Sequence, residues 1–427
     1  MSFDWLAEWK PSDARDPLHI IDEAAEGRDQ QLVERRERIM ADGGAFTFYR
    51  GAAGVMAADL GPLKPHTTGF EVDILGDAHI GNFGMYGSPE RSRVFDVNDF
   101  DEAARGPWEW DVVRLATSAV VMEQDRGSDS DRQRATAEAA VAAYAQTAAA
   151  LAEGPLIDRW YTMTRCDEPG CRDIAVDIKG SEKTLKRVKQ MLRADPKRTQ
   201  AQTVAKFTRD GQFVEVKDKV APIDDDRAEK VRATFEDYES TIEPGLQRLL
   251  HGYTPSAVAR VFAGQGSLGV RNFLMLVTGR RHDDALILQL KEATTSALGY
   301  GGIDVTGAPH EGERVIGLQQ ALQAVSDPLL GWTSIGDEQY YVRQWRDMKS
   351  SPTLTEKRFG RKDREAYARL CGTTLARAHS RTIEGDGITP ISESIGDGKA
   401  FKKAVLQFAR TYADVNRADQ TLLRERL

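Results

Sequence analysis

Cysteine is scarce. Only Cys166, Cys171 and Cys371 occur in 427 residues, an odd and sparse set that argues against a disulfide framework. Cys166 and Cys171, in "RCDEPGCRD", lack the second pair of ligands that a structural zinc site needs and read as free surface thiols. No apolar run reaches the ~18 residues of a membrane span. The stretch "MSFDWLAEWKPSDARD" has neither the basic nor the apolar region of a secretory signal, so the expected compartment is the cytoplasm. Positive charge is not in surplus: 58 Lys and Arg stand against 66 Asp and Glu, a net charge of −8. That balance disfavours wholesale nucleic-acid binding. Internal repeats and low-complexity tracts are also missing.

What remains is a composition of 41% hydrophobic and 29% charged residues, ordinary for a globular chain. At this length one core does not suffice, and two or three lobes are expected. Residues 29–42 read as a charged helix, and "AFTFYRGAAGVMAADL" as a second. "GFEVDIL" alternates like a strand and "SRVFDVNDF" is another, so the two are expected to pair as a hairpin around the segment between them. Residues 109–124 and 130–152 are helical. Residues 165–225 are the least regular, with a basic helix in "EKTLKRVKQMLRAD" and a hairpin turning at Asp210-Gly211. Residues 226–251 read as one charged helix. "VARVFAGQGS", "VRNFLMLVTG" and "DALILQLKEA" are β-rich runs between turns, as in an antiparallel sheet. "GERVIGLQQALQAVS" is helical, "QYYVRQWRDMK" is strand-like, and the tail from about Asp363 is helical. The expected organisation is an N-terminal helical segment (1–70), a catalytic region (71–255) with an insertion at about 165–225, a β-rich lobe (256–350) and C-terminal helices (351–427) that rejoin the catalytic region.

Three constellations carry chemistry. In "GDAHIGNF" (76–83), Asp77 and Asn82 share one tight loop. There a carboxylate can face a substrate hydroxyl while an amide oxygen faces a metal ion; the plainer alternative is a polar turn. In "FDVNDFDEAARGPWEWD", read as a strand, Asp99 and Asp101 share a face, and with Asp96 three residues before Asp99 they crowd enough negative charge for a divalent cation; a solvated strand end would look similar. "GQGSLGV" (264–270) fits G-x-G-x-x-G. No helix follows it, which removes the dinucleotide reading, and a strand does follow, as in a glycine-rich hairpin over nucleotide phosphates. Lys291 ends the next apolar strand, at the position expected of a phosphate-contacting lysine.

These segments resemble the aminoglycoside phosphotransferase and choline kinase branch of the protein-kinase-like fold. "GDAHIGNF" is similar to its G-D-x-H-x-x-N catalytic loop. Asp99, Gly106, Pro107 and Asp111 match the spacing of its metal-binding segment. Over most of its length the chain also resembles a bacterial family catalogued as domain of unknown function 2252, through "FTFYRGAAGVMAADL", "GDAHIGNFG", "FDVNDFDEA", "QLKEA", "YYVRQWRDMK" and "LARAHSR". The order of parts is unusual for a kinase: the catalytic loop and metal segment precede the glycine loop and lysine. "YARLCGTTLARAHSRT" resembles the helix that ordinarily leads into the catalytic loop. The resemblance therefore implies an α+β, two-lobed, protein-kinase-like fold in circularly permuted order.

By that resemblance Asp77 is the base. Asn82 and Asp99 hold Mg²⁺. Lys291 contacts the phosphates of ATP under a lid of Gly264, Gly266, Ser267 and Gly269. Glu313, or alternatively Glu311, holds the lysine; Asp111 braces the loop, and His79 orients it. Arg50 reaches an anion or is structural, and Asp96 and Asp101 are reserve metal ligands. The expected activity is ATP- and Mg²⁺-dependent transfer to a small-molecule acceptor, with no nucleic-acid or membrane partner and the oligomeric state open. AMP transfer or a nucleotide-binding pseudokinase are the alternatives. A metallophosphoesterase needs several histidines, and the chain has seven with no "GNH" after the loop. A non-enzymatic interaction protein would tolerate changes at Asp77 and Asp99.

Overall fold

A computed structural model describes residues 2–165, 199–262, 269–281, 284–345, 359–385 and 387–427. Cys166, Cys171, the expected basic helix at 182–195, and Gly264, Gly266 and Ser267 of the glycine loop lie outside them. Among the described residues no helix is long and apolar enough to cross a membrane. Helix α1 (Gln30–Asp42) starts where the Asp29 carboxylate accepts from the Gln31 and Leu32 amides, a side-chain N-cap. The expected second helix is two, α2 (Ala45–Gly51) and α3 (Ala53–Leu60), because Ala52 leaves helical geometry at φ −119°, ψ 42°.

The first strands pair differently from the sequence expectation. β1 (Glu71–Ile74) does not join the "SRVFDVNDF" strand. A short strand that the sequence reading missed, β2 (Phe83–Gly87), takes that partner, β3 (Arg93–Val97). β1 pairs antiparallel with β4 (Ala104–Pro107), with Glu71 opposite Pro107 and Ile74 opposite Ala104. The loop 76–83 and the turn 98–103 thus leave their strand pairs at one end. β3 stops at Val97, so Asp99 and Asp101 lie in that turn and not on a strand face. Asp96 lies near the end of β3 with its carboxylate buried, where it accepts the Ala324 amide at 3.0 Å.

Helix α4 (Trp108–Asp125) follows β4 directly and is buried at every position from Trp108 to Glu123. It packs against α5 (Ser130–Glu153), capped by Asp129. The expected hairpin at Asp210-Gly211 is present, with both residues at positive φ, and joins Thr208–Arg209 to Gln212–Phe213. The segment 226–251 forms three short helices, Asp225–Ala233, Phe235–Ser240 and Pro244–Leu250. Pro244 cannot continue a helix but suits a first turn.

The β-rich runs assemble as expected into one antiparallel sheet. Its strands are β5 (Val220–Ala221), β6 (Thr254–Val261), β7 (Asn272–Thr278) and β8 (Ala285–Glu292). Helix α6 (Glu311–Leu322) intervenes before β9 (Gly331–Ile335) and β10 (Glu338–Gln344). The sheet order is β9-β10-β8-β7-β6-β5. Alternation along β7 sends Phe273, Met275 and Val277 to one core and Leu274 and Leu276 to another, so both faces of the sheet are covered.

The chain then returns to the helical body through α7 (Arg361–Arg381) and α8 (Lys399–Arg426). Small residues let α7 lie on α5: a Cβ at Gly372 would stand 2.0 Å from the Ala140 carbonyl oxygen. Charge joins the same helices. Glu123 of α4 accepts from Arg364 of α7 at 2.7 and 2.9 Å and from Thr136 of α5 at 2.8 Å. One apolar core runs from Phe3 and Leu6 through Leu75, Ile80 and Phe83 to Leu375 and Phe408. The N-terminal segment is therefore packed into the same core as β1–β4, α4, α5 and the C-terminal helices.

Candidate functional site

The loop 76–83 is held by the start of α4 and the end of α7. Gly76 has φ +70°, and a Cβ there would stand 2.4 Å from the Glu102 carbonyl oxygen, so the turn requires glycine. Asp111, in the first turn of α4, accepts the Leu75 amide at 2.7 Å and the Gly76 amide at 2.9 Å. His379 of α7 meets the same carboxylate at 3.1 Å through Nε2, and its Nδ1 meets the Tyr144 hydroxyl at 2.9 Å. Thr382, just past α7, accepts the Asp73 amide of β1 at 3.2 Å. Residues some 300 positions apart thus form one brace. Asp111→Ala would strand two backbone amides in the interior. We expect it to lower unfolding stability by about 2 kcal/mol or more, with Asp111→Asn costing less, in urea titrations followed by circular dichroism.

Asp77 lies one residue beyond this brace. Its Oδ1 accepts from Arg114 Nε at 2.9 Å and Nη2 at 2.7 Å. Arg114 also donates to the Tyr49 carbonyl at 2.7 Å and stacks over the Tyr49 ring at 3.9 Å. Burial raises the Asp77 carboxyl above its ordinary value, and Arg114 works against that rise. Asp111 and Arg114 are three residues apart on one helix face, so a single turn of α4 holds both the backbone and the carboxylate of the loop. The sequence reading missed Arg114; its spacing from Asp111 was the available signal. His79 is buried and accepts the Gly81 amide at 3.0 Å through Nδ1. Burial, with Arg50 and Arg114 nearby, holds it well below its ordinary pKa and neutral, consistent with a loop-orienting role. Asn82 donates its amide to the Asp77 carbonyl at 2.7 Å, which turns its amide oxygen to the opposite side.

The sheet supplies the other half. Lys291, near the end of β8 and only 1% exposed, places Nζ against an Asp101 carboxylate oxygen and 3.5 Å from Asp99 Oδ1. Tyr341 of β10, opposite Lys291 in the register, donates to the second Asp101 oxygen at 2.9 Å. Burial alone would depress the lysine, but Asp101 and Asp99 outweigh it and the pKa rises. The glutamates expected to hold this lysine are elsewhere. Glu313 is exposed on α6, and Glu311 pairs with Arg314 at 2.5 Å. Arg314 instead donates to the Asp101 carbonyl at 2.8 Å and the Thr294 carbonyl at 3.0 Å. In this structure the carboxylate holding Lys291 is Asp101, two residues from the expected metal ligand Asp99.

Asp77, Asn82, Asp99, Asp101 and Glu102 line one cleft, whose other wall carries Arg28, Arg36 and Arg50. Gly269, the described end of the glycine loop, has φ +104°. Among the described residues no three His, Cys, Asp or Glu side chains gather as a metal cage. The cleft offers the Asp99 carboxylate and the Asn82 amide oxygen. Two such hard donors, with water and substrate phosphates completing the shell, suit Mg²⁺.

A family model described as "Uncharacterized protein conserved in bacteria (DUF2252)" matches residues 28–426. No curated protein and no solved structure matches the chain.

Proposed function

We propose that this chain, which belongs to the DUF2252 family of uncharacterized bacterial proteins, is an ATP- and Mg²⁺-dependent phosphotransferase acting on a hydroxyl or similar group of a small molecule, on a protein-kinase-like fold in circularly permuted order. The observation that carries this reading is the seat of Lys291. A lysine from the β-rich lobe is buried against Asp99 and Asp101, some 190 residues earlier in the chain. The His379–Asp111 contact supports the permuted order, because it seats the end of α7 beside the loop that such a helix would ordinarily precede.

In this reading Asp77 accepts the proton of the acceptor hydroxyl, and Arg114 fixes the direction in which its free edge points. Lys291 exchanges part of its contact with Asp101 for nucleotide phosphate oxygens. Asp99 and Asn82 would hold the metal ion, which supplies charge neutralisation to the transferred group. The apolar core beneath the loop keeps these groups in place between turnovers.

Calorimetry with a non-hydrolysable ATP analogue and Mg²⁺ tests the reading. We expect saturable binding to the wild type. Lys291→Met should weaken it by about tenfold or more, the loss of one charge-assisted phosphate contact. A wild type with no nucleotide affinity would end the proposal. Intact-mass measurement of the product separates a phosphoryl from an adenylyl adduct.

A further inference from the structure

One wall of the cleft is cationic beyond what the nucleotide requires. Arg28 precedes α1, Arg36 lies within it and Arg50 ends α2; all three line the cleft that holds Asp77, Asn82 and Asp99. Arg36 donates to the Gly51 carbonyl at 2.6 Å, which orients its guanidinium. A Cβ on Gly269 would stand 3.5 Å from Arg36 Cδ and 3.6 Å from Arg28 Nη1, so the two arginines sit where the glycine loop rejoins the sheet. Burial and the neighbouring Arg28 push the Arg36 guanidinium down to about 10, against the attraction of Glu102 and Glu37. Burial also lowers Arg50, against the attraction of Asp77 and Asp99. Like charges gathered at a partly buried surface are costly unless an anion joins them.

The nucleotide's phosphates already have candidate partners in Lys291, the glycine loop and a metal ion at Asp99 and Asn82. The arginine wall belongs to different elements but lines the same cleft as Asp77, and its Arg50 feels the Asp77 and Asp99 charges. Two or three guanidiniums match a phosphate dianion through paired N–H donors. Building on the phosphotransferase reading, we infer that the acceptor is itself a phosphate ester, held by Arg28 and Arg36 while its hydroxyl meets Asp77.

Calorimetry on the full chain tests this with inorganic phosphate and glycerol 3-phosphate as probes, each titrated alone and with the Mg²⁺-bound ATP analogue at saturation. Both probes should bind in both conditions. Arg28→Gln and Arg36→Gln should each weaken them by about tenfold or more while analogue affinity stays within about twofold, and Arg→Lys at either position should restore part of the loss. Arg28, the more peripheral of the two, provides the variant least exposed to misfolding. The inference is overturned if the analogue displaces phosphate, since the arginines would then hold the nucleotide. It is equally overturned if the Gln variants bind the probes like wild type, or if wild type binds neither probe. Arginine-dependent phosphate binding without analogue binding would support the anion site and overturn the phosphotransferase reading.

Discussion

Asp77→Asn is expected to reduce kcat by about 10²–10⁴-fold while leaving the affinity for Mg²⁺ and ATP nearly intact, because it removes a proton acceptor and little else. The replacement is close in shape and can still accept from Arg114, which bonds the native carboxylate at 2.7 and 2.9 Å. Single-turnover ADP formation, with nucleotide binding measured separately, separates the chemical step from binding. Turnover equal to wild type would remove Asp77 from the mechanism. The pH profile gives a second readout. The base must be ionised to work, and burial raises the Asp77 carboxyl above its ordinary 3.8. The acid limb of kcat should therefore lie above the usual aspartate range. Arg114 works against that rise, so Arg114→Gln should move the limb to still higher pH.

The largest effect on stability is expected at Glu123. Its carboxylate is fully buried and accepts from Nε and Nη2 of Arg364, itself buried. Glu123→Ala leaves the guanidinium uncompensated among α4, α5 and α7, a loss of about 3–5 kcal/mol. Glu123→Ala together with Arg364→Met should recover part of it, since apolar replacement of a whole buried pair is far less costly than breaking it. Urea midpoints of the two variants decide this. Burial alone would raise the Glu123 pKa; hydrogen bonds from Arg364, Ser128 and Thr136 outweigh it and hold the folded-state value below 4.5. Its contribution is therefore fully present above pH 4.5 and is lost as pH falls through that lower value. The double variant should lack this acid-side loss.

The sequence alone located residues that local chemistry distinguishes. Asp77, Asn82 and Asp99 stand in short motifs, and Lys291 ends an apolar strand; the fold brings the first three to one cleft and seats Lys291 behind it against Asp99. Elements with strong local propensity, such as the Ala-rich α5 and the β-rich sheet strands, were legible as well. The pairing of β1 was not. Its partner begins Ala-Arg-Gly-Pro, which reads as a turn, and the true neighbour of β3 is a short all-apolar strand with no alternation to reveal it. The partner of Lys291 was also hidden. A glutamate on the following helix is what kinase analogy suggests, whereas proximity between the sheet and the turn after β3 brings Asp101. Arg36 looks like part of the polar face of a charged helix, and Arg28 like the turn before it, until the fold lays both on the cleft.

The brace between Asp111 and His379 also has a consequence in time. At ~5–20 residues per second, a ribosome needs about 15–60 s to travel from the loop to the helix that completes it. Throughout that interval Asp77 exists without its finished support, and Lys291 arrives well before His379. A nascent chain therefore carries the parts of the site without their working arrangement. The brace is complete only when the last helices dock. A cleft assembled in this order is unfinished for as long as the polypeptide is still being made.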